Sequence, residues 1–244
     1  MPDFLGLTGR RVLIAGAGGT LGGALVEGFR AAGARVGGID LRTDGLEGLD
    51  AVAQADLRSP EACRAAVAGV AEQLGGLDVF VHCVGINDRR PVEDYGAEDW
   101  DAIVAVNLTS AFHTAVAALA PMRAQGSGRV IFFSSVAGRS GHKLHGPYAA
   151  TKGAVNQLMR VMAHEHAADG ITVNAVAPGY MDTQLTRDYL EANPDKRAAL
   201  VELIPARRFG RLEEVVGPVL FLASDAASFI TGQVLYIDGG RTVV

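Results

Sequence analysis

Short apolar runs alternate with helical patterns along almost the whole chain. Arg11 to Ala15 is a β-branched and leucine run closed by glycines, and Leu21, Ala24, Leu25 and Phe29 then recur at helical spacing. Gly33 breaks that helix, and Ala34 to Ile39 predicts a second strand with Asp40 just beyond it. The alternation continues with a strand near Val52 to Ala55, a helix over Pro60 to Leu74 and a strand over Leu77 to Val84. Trp100 to Met122 is helical by period, Arg129 to Ser134 is a strand, and Tyr148 to Ala168 is the next helix. Ile171 to Ala175 and Val234 to Ile237 close the strand set. Near-continuous apolar strands between helices imply a parallel sheet covered on both faces. The expected fold is therefore α/β, a single-domain Rossmann-type doubly wound parallel sheet of about seven strands over residues 1–244. Pro178 to Gly210 is the least regular stretch, of a length that suits a mobile lid.

Composition narrows the function classes. With 49% hydrophobic and 20% charged residues the 244-residue chain is too apolar for disorder. No apolar run approaches the roughly 18 residues that span a bilayer, and Met1 to Arg10 lacks a basic stretch ahead of an apolar one. A cytoplasmic protein is expected. Net charge is −5 with no block of like charges, which speaks against nucleic acid or an anionic membrane as partner. Cys63 and Cys83 lack metal spacing and are expected as buried thiols. His164 and His166, two apart on a helix, cannot share a face, so no metal is expected. Glycine is the outlier, with 31 residues; that is close to twice the usual share of roughly 7%.

The chemistry concentrates in two places. The first strand-to-helix turn runs Gly16-Ala17-Gly18-Gly19-Thr20-Leu21-Gly22, where glycines let a pyrophosphate approach the backbone and the helix start offers unpaired N–H groups. Asp40 at the end of the second strand suits the adenosine ribose hydroxyls and would repel a 2′-phosphate. Tyr148 and Lys152 are four apart on one helix, so both emerge on one face. A nearby ammonium favours the phenolate, as a tyrosine acid/base requires. Ser135, at the end of the preceding strand, is placed to bond the same substrate oxygen.

In order and spacing these motifs resemble the short-chain dehydrogenase/reductase family along nearly the whole chain. Its glycine turn corresponds to Gly16 through Gly22, its acidic strand end to Asp40, and its adenine-side pair to Asp56-Leu57. Gly85, Asn107, Ser135, Tyr148-Ala-Ala-Thr-Lys152, Pro178-Gly179 with Thr183, and Asp238-Gly239-Gly240 follow. The resemblance implies Tyr148 as acid/base, Ser135 polarising the substrate oxygen, and Lys152 binding the nicotinamide ribose while lowering the tyrosine pKa. It implies Asn107 in a proton path and Thr183 on the carboxamide, with Pro178 and Gly179 beside the ring. Thr20 stands where the family has its second glycine, Ala15 replaces a threonine, and His82-Cys83-Val84 replaces Asn-Asn-Ala ahead of Gly85.

The resemblance is strongest to NAD-dependent sugar-acid or polyol dehydrogenases of the gluconate 5-dehydrogenase kind. The alternatives are a 3-oxoacyl thioester reductase and a non-catalytic nucleotide-binding regulator. Arg89 and Arg90, after the fourth strand, are candidate ligands for a substrate carboxylate. His142 and His145, between Ser135 and Tyr148, face either substrate or solvent. The apolar helices over Trp100 to Met122 and Tyr148 to Ala168, and the segment Phe221 to Gly240, suggest the homotetramer usual in that family.

Overall fold

The computed structural model describes residues 5–191 and 195–244; Met1 to Phe4 of the N-terminal stretch lie outside the described residues, as does 192–194. Seven strands form one sheet: β1 (Arg11–Ala15), β2 (Arg35–Asp40), β3 (Ala51–Gln54), β4 (Val79–His82), β5 (Gly128–Phe133), β6 (Ile171–Pro178) and β7 (Val234–Ile237). Every pairing is parallel and the order is β3-β2-β1-β4-β5-β6-β7. The order reverses between β1 and β4. A doubly wound sheet opens its ligand crevice at such a switch, beyond the carboxyl ends of the strands.

Side chains alternate across the sheet because successive strand residues face opposite ways. In β1, Val12 and Ile14 join the core beneath α1 (Thr20–Ala31) and α8 (Glu213–Ala223), while Leu13 and Ala15 join the core beneath α2 (Pro60–Leu74), α4 (Ser110–Gln125) and α5 (Gly146–His166). Both layers bury large side chains: Phe29, Phe80 and Phe132 are among the largest fully buried.

The single helix expected over Trp100 to Met122 is α3 (Ala97–Val104) and α4 joined by a π turn, Ala105–Thr109. Hydrophobic period reports the overall path and misses a one-residue change in hydrogen bonding. By length and composition Ala97–Gln125 would suffice to cross a membrane, but Ala111, Ala115, Ala118 and Met122 are fully buried in the core below it.

The stretch expected to be irregular contains α6 (Gln184–Glu191) and α7 (Lys196–Glu202). Leu190, Ile204 and Phe209 form a small core there, separate from the two beside the sheet. The helix α8 carries Gly217 and Pro218 internally, residues that read as breakers in sequence.

Candidate active site

The carboxyl edge of β1 and β2 builds one rim of the crevice. Gly16 takes φ +87°, a left-handed conformation that favours glycine, and a side chain there would meet the Cys83 carbonyl. At Gly22 even a methyl group would fall 1.9 Å from the Gly16 oxygen. The helix that follows is α1, whose N-cap is Gly19 and which receives no side-chain cap. By contrast, α2 has the Ser59 hydroxyl accepting from the Ala62 N–H at 3.2 Å. The open donors at the start of α1 and the backbone stripped of side chains fit the pyrophosphate of a dinucleotide. Thr20 is the first residue of α1, where a side chain needs no special φ, so the family's missing glycine costs nothing locally.

Asp40 ends β2, and its carboxylate accepts the Gly18 N–H at 2.9 Å. Asp56 is held by Arg58, which donates to both carboxylate oxygens and holds its pKa below the usual range. Leu57 is buried in the core against α2.

The edge of β4, β5 and β6 builds the other rim, around a cavity of about 280 Å³. Gly85, Arg89, Ser135, His142, His145, Tyr148, Lys152, Pro178, Gly179 and Thr183 all line it. Ser135 follows β5 and accepts the Ala137 N–H at 3.2 Å, which fixes the turn into the cavity. Tyr148 lies in the first turn of α5, and Lys152 is one turn further along the same face. The Lys152 ammonium sits 5.7 Å from the centroid of the tyrosine ring and donates to the Phe133 carbonyl at 2.7 Å.

Burial dominates the electrostatics. It raises the Tyr148 phenol above its ordinary pKa, against the opposing pull of a hydrogen bond with Ser135 and the charge of Arg89. Burial also lowers Lys152 to about 8. Lys152 stands beside the tyrosine, while Ser135 and Arg89 are the groups that pull the phenol down against burial.

Asn107 is fully buried in the π turn. Its side chain accepts the Ile86 N–H at 2.8 Å, donates to the Ile86 carbonyl at 2.9 Å and reaches Thr151 Oγ1 at 3.3 Å. It thus ties the loop after β4 to α5. Gly85 lies against this junction, where a Cβ would be in ordinary contact with Asn107 and Lys152 at 3.4 Å.

Three further positions marked in the sequence are placed by the fold. Arg90 does not line the cavity: it pairs with Asp88 and Asp99 and lies over the Tyr95 ring. Thr183 lines the cavity, with its hydroxyl accepting the Thr186 N–H at 3.2 Å at the start of α6. His82, in place of the family's asparagine, is buried between Thr114 Oγ1 (3.1 Å) and Ser110 Oγ (3.3 Å) and bridges β4 to α4. Burial lowers its pKa to about 3. Cys83, Tyr180 and Met181 also line the cavity and were missed as site residues. The substitution beside Gly85 was the signal available for Cys83; the other two carried none.

Comparison with known proteins follows the same lines. The family described as Enoyl-(Acyl carrier protein) reductase matches residues 16–242. A gluconate 5-dehydrogenase of Gluconobacter oxydans is 35% identical, over 99% of this chain and 98% of that one. A 3-oxoacyl-(acyl-carrier-protein) reductase of Vibrio cholerae is 33% identical, over 98% of this chain and 100% of that one. Among solved structures, a gluconate 5-dehydrogenase from Burkholderia cenocepacia in complex with NADP and tartrate has a TM-score of 0.92 at 36% identity. That likeness covers 99% of this chain and 98% of the other. Fold, crevice and full-length likeness agree, and the chain belongs to the short-chain dehydrogenase/reductase family of nicotinamide-dependent oxidoreductases.

Proposed function

We propose that the protein interconverts a secondary alcohol and a ketone on a sugar acid or polyol, with NAD preferred over NADP. The observation that carries this reading is the convergence of Ser135, Tyr148, Lys152 and Arg89 on one cavity at the switch point of the sheet. Gly16, Gly18, Gly19, Thr20, Leu21 and Gly22 would hold the pyrophosphate, Asp40 the adenosine ribose, and Asp56 and Leu57 the adenine side. Gly85, Lys152, Pro178, Gly179 and Thr183 would hold the nicotinamide end. When bound, the nicotinamide supplies the hydride acceptor or donor.

The chain's own residues supply the rest. Ser135 and Tyr148 both line the cavity, so an incoming substrate oxygen can bond to both. Tyr148 moves the proton at its phenolic oxygen. Burial raises the tyrosine and so holds it as the neutral phenol, the form that gives a proton to a ketone oxygen. Asn107 holds the loop carrying Ile86 against α5, so that the lysine and the loop keep one spacing.

Arg89 stands on the cavity wall, and a guanidinium matches a carboxylate in shape. This favours a sugar acid over an acyl thioester. The Asp40 carboxylate supports NAD, since it would stand against a 2′-phosphate. We further propose homotetramers formed through the outward faces of α4 and α5, where Phe112, Val116 and Val161 are exposed.

The test is turnover by NADH absorbance with gluconate, 5-ketogluconate, sorbitol and an acyl thioester, each with NAD(H) and NADP(H). A sugar acid should be the best substrate, with NAD the better cofactor. Preference for the thioester would replace the sugar reading. Equal efficiency on both cofactors would show that Asp40 does not select.

A further inference from the structure

The wall between Ser135 and Tyr148 carries a feature that the acid/base chemistry does not use. Residues 141–145 supply two imidazoles to the cavity, His142 and His145. Their rings meet edge to face at 5.9 Å, and His145 in turn meets the Tyr148 ring at 6.1 Å. The nitrogen Nδ1 of His145 is taken by the Lys143 carbonyl at 2.7 Å. His142 differs: its Nε2 is buried and has no hydrogen-bond partner. Among the described residues four buried side-chain polar atoms are unpartnered, and His142 is the one of these residues that lines the catalytic cavity. A buried polar atom without a partner is disfavoured unless something else fills the place.

The backbone of this loop points the same way. Leu144 holds φ +67°, a left-handed conformation rare for a branched side chain, and its own side chain is exposed. The strained turn therefore does not bury the leucine; it carries the flanking imidazoles to the cavity. Burial and the charges of His145 and Arg241 keep His142 neutral. In a neutral imidazole Nε2 carries either the N–H or the lone pair, and a hydroxyl, which both donates and accepts, can bond either form.

We infer that His142 is a specificity residue that holds, through Nε2, a substrate hydroxyl other than the reacting one. This rests on the sugar-acid or polyol reading above and sharpens it: the preferred substrate is polyhydroxylated, with its carboxylate, where present, at Arg89 and a second hydroxyl at His142.

The test uses the full-length enzyme and the best substrate among gluconate, 5-ketogluconate and sorbitol. His142→Leu should lower kcat/KM about tenfold, mainly through KM, the scale of one hydrogen bond. His142→Gln, which keeps a donor and an acceptor, should restore most of it. Cofactor Kd and melting temperature should stay at wild-type values in both. A loss under twofold in His142→Leu, no recovery in His142→Gln, or a parallel loss of cofactor affinity would overturn the proposal while leaving the sugar reading intact. A wild-type enzyme inactive on all three substrates would remove that reading and this inference together.

Discussion

The two rims of the crevice recognise their ligands by different means. Along β1 and β2 the surface is backbone: glycines at positions 16, 18, 19 and 22, an uncapped helix start, and one carboxylate at Asp40. Around β4 to β6 it is side chains: Ser135, Tyr148, Lys152, Arg89 and two histidines, carried on loops and the first turns of α5. A backbone rim suits a ligand that never changes, because N–H groups cannot be exchanged by substitution. A side-chain rim can be re-specified residue by residue on the same scaffold.

Four experiments break or sharpen that contrast. The largest effect belongs to the side-chain rim: Tyr148→Phe should cost at least ~100-fold in turnover, with NADH affinity by fluorescence titration unchanged. On the backbone rim, Gly22→Ala places a methyl 1.9 Å from the Gly16 carbonyl. It should cost about 1–3 kcal/mol of stability in urea unfolding, and weaken cofactor binding more than it raises the KM for alcohol.

The third concerns His82 between the rims. Its pKa is about 3 in the folded protein, against roughly 6.5 unfolded. As pH falls below that unfolded value the unfolded chain takes up a proton that the folded one refuses, so stability is lost progressively until pH reaches the folded value. By pH 5 the loss is about 2 kcal/mol. Urea midpoints at pH 7 and pH 5 should therefore separate more for wild type than for His82→Asn. The smallest effect separates two adjacent arginines. Arg89→Ala should raise the KM for a sugar acid about tenfold and spare sorbitol. Arg90→Ala, which removes partly exposed ion pairs, should leave both substrates within about twofold.

The contrast also explains what the sequence made legible. A glycine demanded by backbone geometry is visible as a letter, so Gly16 to Gly22 and Asp40 stand out at their spacing. Tyr148 and Lys152 are legible because helical period alone puts them on one face. Nothing in the letters separates Arg89 from Arg90: one lines the cavity and the other is claimed by Asp88 and Asp99, a matter of which way the loop after β4 turns. The histidines are equally ambiguous until the fold lays their loop along the cavity. Burial raises Tyr148 and lowers Lys152, and spacing does not report burial. The helices α6 and α7 are short, and α8 contains a glycine and a proline, so their period is too brief or too interrupted to read.

The π turn at Ala105–Thr109 has a further consequence, for helical phase. An i→i+5 turn accommodates one residue more than an α turn, and each α-helical residue advances the side-chain direction by about 100°. Because the wide turn absorbs its extra residue locally, removing one residue there would let the helix run on regularly with every later position of α4 keeping its direction. Ser110 and Thr114 would still face His82, and Phe112 and Val116 would still point outward. The extra residue thus serves the seat of Asn107 alone, so a single deletion there would act on the amide clamp and spare the strand contact and the outer face.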